Sequence, residues 1–165
     1  MYYHRIEDKF TPVVIDKLKE CGVTEVKQIQ CNDDHEMITE AIQTLIEDGS
    51  DLIVCTGGMS VDPDDRTPLA IKNACTEVVT YGAPVLPGAM FMLAYCEKEG
   101  RQIPVMGLPG CVMYAKRTIF DLVLPRIMCD EKLHEKDFWL LGQGGLCLSC
   151  PVCTFPNCGF GKGGY

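Results

Sequence analysis

The fold class this sequence predicts is α/β, with a mostly parallel sheet covered by helices on both faces. Three observations carry it. Short apolar runs such as Leu52-Ile-Val-Cys55 are bounded by turn residues, as strands buried on both faces are. They alternate with segments of helical period. Glycine-rich turns follow the strand candidates directly, at Thr56-Gly-Gly58 and at Gly107-Leu-Pro-Gly110. Strand, helix and strand in succession favour parallel neighbours joined by crossovers.

Each element has a local cause. Thr11-Pro12 reads as an N-cap followed by proline at the first helical position, with Val13, Val14 and Leu18 forming an apolar face until Gly22. Val23 to Cys31 alternates apolar and polar residues as a strand does. Asp33 or Asp34 can cap a second helix carrying Met37, Ile38, Ala41, Ile42, Leu45 and Ile46, which Gly49 ends. Leu52 to Cys55 is the brief buried strand. Thr67-Pro68 repeats the cap-plus-proline signal and opens a helix through Ala70, Ile71 and Ala74. Val78-Val79-Thr80 suits a strand; Pro84 and Pro87-Gly88 then interrupt the chain, and a loop followed by a helix near Met90 to Glu97 is expected. A further strand is expected at Ile103 to Met106, and a long helix from about Val112 to Ile127.

Composition bounds the function. The chain has 165 residues, 47% hydrophobic, enough for one ordinary domain with a sizeable core. A net charge of −8 repels a phosphate backbone, so nucleic acid is not an expected partner. No apolar run approaches the roughly 20 residues that span a bilayer, and MYYHRIEDKF has no signal-peptide pattern, so no membrane partner and a cytoplasmic location are expected. Seven cysteines (Cys21, Cys31, Cys55, Cys75, Cys96, Cys111 and Cys129) are scattered singly and read as reduced, mostly buried thiols.

The stretch TGGMSVDPDDRTP lies where ligands bind in an open parallel sheet, beyond the carboxyl end of a strand. Gly57 and Gly58 let backbone amides approach a ligand, and Ser60 adds a hydroxyl, which suits phosphate or another oxyanion. Asp62, Asp64 and Asp65 suit a divalent cation beside that anion, or hydrogen bonds from an amine-rich ring. A tight turn with helix-capping aspartates accounts for the same residues, and spacing alone does not separate the readings.

The run LIVCTGGMSVDPDDRTPLA resembles the signature of the molybdopterin-binding domain of the molybdenum cofactor biosynthesis family, in which a strand enters Thr-Gly-Gly and Asp-x-Thr-Pro opens the next helix; here the latter is Asp65-Arg66-Thr67-Pro68. Glu7-Asp8-Lys9, Asp33, Pro87-Gly88 and Leu108-Pro109-Gly110 follow the family's order, so the resemblance covers roughly residues 5 to 128. It implies a three-layer α/β/α fold that binds the pterin dithiolene phosphate, its adenylylated form, or both. Carried across, Asp33 and Asp65 match the two catalytic carboxylates. Thr56, Gly57, Gly58 and Ser60 match the anion-binding loop, and Asp62, Asp64, Thr67, Pro87, Gly88, Pro109 and Gly110 complete the substrate-binding set. The chain departs from the family at Leu86, Ala89 and Met90, where the molybdenum-insertion branch places lysine or proline, and at Cys111-Val-Met-Tyr114. Only six residues precede Glu7, so the family's first strand is expected to be missing.

The organisation expected is thus a molybdopterin-binding-like domain over residues 1–128, a charged linker over 129–141, and a Gly/Cys-rich tail over 142–165. Asp130 to Asp137 and His134 read as a solvated stretch, and His4 and His35 as exposed or capping residues. Cys147, Cys150, Cys153 and Cys158 place four thiols within twelve residues, a spacing suited to an iron-sulfur cluster or Zn²⁺, with disulfides as the alternative. The tail's glycines leave little apolar surface, so a metal staple is expected there. The resemblance implies a pterin and a nucleotide as partners and Mg²⁺ accompanying ATP or adenylylated molybdopterin; a homo-oligomer is allowed. An enzyme would be a transferase that adenylylates molybdopterin or inserts molybdate. The alternatives are a non-catalytic pterin-sensing module with a metal-binding tail, and an inactive fragment.

Overall fold

The computed structural model describes residues 8–163. Its elements are α1 (Phe10–Glu20), α2 (His35–Glu47), β1 (Ile53–Thr56), α3 (Thr67–Ala74), β2 (Glu77–Tyr81), β3 (Met92–Lys98), β4 (Arg101–Leu108), α4 (Ile119–Ile127) and α5 (Glu135–Leu141), with 3-10 turns at Gly110–Met113 and Gly142–Gly144. The four strands form one sheet in the order β1-β4-β3-β2. Alternation along β3 and β4 sends Leu93, Tyr95, Met106 and Leu108 to a cluster with α1, α4 and Phe138 of α5. Met92, Ala94, Cys96, Ile103 and Val105 go to a second cluster with Ile42 of α2 and Ile71 of α3. Helices therefore cover both faces, because the central strands β3 and β4 are apolar on both sides.

The sheet is mixed rather than mostly parallel. β1 and β4 pair in parallel, whereas β3 is antiparallel to both β4 and β2. The cause is the 92–98 segment, expected as helix and found as strand. A fully apolar run, Met92 to Cys96, fits either state by pattern. What decides it is Glu99-Gly100, with φ of 53° and 79°, the two left-handed positions of a tight hairpin turn that return the chain at Arg101 opposite Lys98.

Other expectations also shift. Residues 23–31 join no strand, although β1 is an edge of the four-stranded sheet. The long helix expected from Val112 is a 3-10 turn followed by a fresh start at Thr118, which caps α4 in a reciprocal pair with Asp121. Asp8, not Thr11, caps α1, its Oδ1 accepting from the Phe10 and Thr11 N–H groups at 3.0 Å each. Cys75 and Cys96, expected as reduced thiols, are disulfide-bonded. Residues 129–141 contain α5, where Phe138 stacks on Phe91 at 6.0 Å between ring centroids, and Leu133 is buried with its N–H donating to the Tyr95 hydroxyl.

Asp121 joins the two helices on one face. Lys17 Nζ of α1 lies 2.7 Å from Asp121 Oδ1, and Arg117 Nη1 lies 2.9 Å from the same oxygen. With side-chain exposures of 9% and 3%, Lys17 and Asp121 satisfy each other out of contact with bulk water.

The tail folds against the domain. Leu86 and Leu146 form a parallel bridge, with the Cys147 N–H donating to the Leu86 carbonyl at 2.8 Å. Phe160 is 4% exposed, and Phe155, Cys147 and Cys158 pack on the same core. The apolar anchor that composition failed to suggest is centred on Phe160. No helix among the described residues is long and apolar enough to cross a membrane.

Candidate functional site

Parallel pairing of β1 with β4 sets Thr56 opposite Leu108. Both strands end at the same rim, so the loop after Thr56 and the turn Leu108-Pro109-Gly110 start side by side. β2 and β3 deliver Tyr81 to the same rim, through the pairs Tyr81 with Met92 and Met92 with Gly107.

Gly57 and Gly58 have φ of 83° and 58°, a conformation that side chains disfavour. At Gly58 space is also required: a Cβ there would lie 2.9 Å from Thr67 Oγ1 and 3.4 Å from Asp33 Oδ1. The glycine is thus the point where three distant segments meet. Thr67, the first residue of α3 rather than its cap, donates its hydroxyl to the Gly57 carbonyl at 2.8 Å. Asp34 caps α2, accepting from the Glu36 and Met37 N–H groups. Those N–H groups, Met37's first, hold the Asp34 carboxyl below the usual aspartate range. The two adjacent aspartates therefore divide the roles that sequence left open: Asp34 caps, and Asp33 faces Gly58.

The carboxylates of the loop are tied to the loop itself. Asp65 Oδ2 accepts from both the Ser60 N–H and, at 2.7 Å, the Ser60 hydroxyl. The Asp62 N–H donates to Ser60 Oγ at 3.2 Å, and Asp62 Oδ1 accepts from the Asp64 N–H at 3.0 Å. These are turn-forming contacts. Among the described residues no three His, Cys, Asp or Glu side chains are grouped so as to hold a metal ion. That holds for the loop aspartates and for the tail thiols, of which Cys150 and Cys153 are exposed while Cys147 and Cys158 pack inward.

Two anchors escaped the sequence reading. Met59 is 3% exposed and lies over Gly107 of β4, where a Cβ would come within 2.6 Å of its Cε. The loop holds two large apolar residues, Met59 and Val61, and only Met59 is buried, so the sequence alone did not single it out. The Tyr81 hydroxyl donates to the Ser60 carbonyl at 3.2 Å, and burial together with the Asp65 charge raises its pKa.

Pro87 and Gly88 pack on the start of α4. The Pro87 carbonyl accepts from the Ile119 N–H at 3.1 Å, and a Cβ on Gly88 would come within 2.9 Å of Ile119 Cβ. Gly110, by contrast, opens onto free space beside Pro109. A cavity of about 1240 Å³ lies chiefly between α1, α2, residues 23–31 and β1, and reaches the rim through Asp33, Thr56, Gly57, Gly58 and Thr67. His35 begins α2; His4 and Glu7 lie outside the described residues.

A family model described as probable molybdopterin binding domain matches residues 1–128. A molybdenum cofactor biosynthesis bifunctional protein of Synechococcus elongatus is 38% identical over 67 residues, which is 41% of this chain and 21% of that protein. The match thus spans about a fifth of that relative's length. The crystal structure of the tungsten cofactor synthesizing protein MoaB from Pyrococcus furiosus is similar with a TM-score of 0.59 at 19% identity, covering 79% of this chain and 89% of that one. The second likeness is one of fold.

Proposed function

From its membership of the molybdopterin-binding-domain family of molybdenum cofactor biosynthesis, to which this chain belongs, we propose that it binds the phosphate end of molybdopterin at the rim formed by Thr56, Gly57, Gly58, Asp33 and Thr67. The observation that carries the reading is the close approach at Gly58. It leaves room for no side chain between the loop backbone, Asp33 and Thr67. Left-handed glycines present successive amides to an anion, and the Ser60 hydroxyl and the open turn at Pro109-Gly110 border the same rim. Asp33 would then position the ligand's polar ring or nucleotide by accepting hydrogen bonds.

Two outcomes of binding are distinguished by chemistry. Adenylylation joins the pterin phosphate to AMP from ATP with release of pyrophosphate, and nucleotidyl transfer of this kind, like phosphoryl transfer, depends on positioning and charge neutralisation. Mg²⁺ would accompany the nucleotide, held chiefly by its phosphates with one or two carboxylates of the chain. Asp65 favours the second outcome, binding without turnover, because its carboxylate already closes the loop onto Ser60. Incubation with molybdopterin and MgATP separates them. ATP-dependent formation of the adenylylated pterin, lost in Asp33→Asn, establishes the transferase; saturable binding with no product establishes the binding module.

A further inference from the structure

Two cysteines lie at the far end of the helix that supports the site loop. Cys75 follows the last residue of α3, and Cys96 projects from β3 with its Cα 4.2 Å from that of Cys75. Around them, α3 is already held to β3: the Thr76 N–H and hydroxyl both donate to the Tyr95 carbonyl at 3.0 Å. Cys96 Sγ also lies 3.5 Å from the Ala74 carbonyl, an acceptor for its thiol when reduced. At the other end, eight residues away, Thr67 holds the Gly57 carbonyl. A two-turn helix has too few internal hydrogen bonds to stand alone, so its order depends on what fastens its ends.

We infer that Cys75 and Cys96 form a redox-operated tether, whose closure stiffens α3 and, through Thr67, the Gly57–Thr67 site loop. The pair is buried unevenly, Cys96 being 2% exposed and Cys75 half-buried. Cys75 is therefore the thiol that a small oxidant meets. With a low-molecular-weight disulfide as oxidant, the Cys75 thiolate attacks one sulfur, the oxidant's S–S bond breaks, and one small thiol leaves. Cys96, as thiolate, then attacks the Cys75 sulfur of the mixed disulfide and releases the second small thiol. Two protein thiols are oxidised and one small disulfide is reduced to two thiols. The reverse exchange opens the tether.

The experiment uses the full chain equilibrated with either reduced or oxidised glutathione, followed by differential alkylation with peptide mapping, thermal melts, and hydrogen exchange of peptides covering residues 57–67. Oxidation should protect Cys75 and Cys96 together and raise Tm by about 6–12 °C, as closing a loop of this length does. It should also slow exchange across residues 57–67 several-fold. In Cys75→Ser and in Cys96→Ala, neither the Tm rise nor the slowing should appear, which separates this pair from the other nine cysteines. Alkylation of both cysteines after oxidation overturns the proposal. So does a formed cross-link with exchange across 57–67 unchanged.

Discussion

Gly58 and Thr67 approach so closely that a methyl group on the glycine would lie 2.9 Å from the threonine hydroxyl oxygen. The contact joins the end of β1 to the start of α3 and leaves the glycine the one residue type that fits without displacement. Gly58→Ala adds left-handed backbone strain to that collision and should cost about 1–3 kcal/mol. Gly57→Ala, with open space around its Cβ, should cost only the strain. Urea unfolding of the two variants checks the order; equal losses would mean that Thr67 does not constrain the loop.

Breaking the Lys17–Asp121 pair should be the most damaging charge change. Asp121→Ala leaves the Lys17 ammonium buried, reduces Arg117 to its pair with Glu20 and removes the reciprocal cap on Thr118, for an expected loss of about 3–5 kcal/mol. Lys27→Ala, which removes an exposed partner of Asp48, should stay within about 0.5 kcal/mol. Denaturant midpoints at pH 7 measure both.

The tail separates an apolar anchor from its thiols. Phe160→Ala should destabilise the chain by about 3–5 kcal/mol. Cys150→Ser and Cys153→Ser, at exposed positions, should change stability by less than about 0.5 kcal/mol. Thermal unfolding compares them. A large loss in either cysteine variant would instead support the metal staple expected from the spacing of the four thiols.

Stability should fall at acid pH through identifiable carboxyls. Partial burial opposes ionisation of Asp137, but the His134 N–H and the Arg126 guanidinium, 3.0 Å away, win and hold it below the ordinary 3.8. Arg126 likewise depresses Glu131. A depressed folded pKa contributes stability that is complete above the unfolded value and is lost as pH falls through the folded one. Tm should therefore be level above about pH 5 and decline below about pH 4. Asp137→Asn should lower Tm at pH 7 and flatten the decline; an unchanged slope would exclude this pair as its source.

Much of the fold was legible because several helices carry their own punctuation. Gly22, Asp34, Gly49 and Pro68 mark ends that the structure keeps within a residue or two. The failures share one cause, which is tertiary context. Val23 to Cys31 alternates like a strand yet pairs with no strand among the described residues, and an apolar run like Met92 to Cys96 becomes strand because the Glu99-Gly100 turn supplies a partner. At the site, the motif identified the loop but not its geometry. That Asp34 rather than Asp33 would cap, and that Asp65 would bind its own Ser60, depends on backbone angles that neighbouring residues do not encode. The Cys75–Cys96 pair, 21 residues apart, was invisible for the same reason.

The central claim is that the rim around Gly58 binds molybdopterin, and calorimetric titration of the full chain, under anaerobic conditions, tests it most directly. The account predicts a single saturable site with a Kd at or below about 10 μM, weakened at least about tenfold in Gly58→Ala and in Asp33→Asn, a difference of about 1.4 kcal/mol. Absence of binding by cooperatively folded wild-type protein would contradict it, as would an affinity that both substitutions leave unchanged.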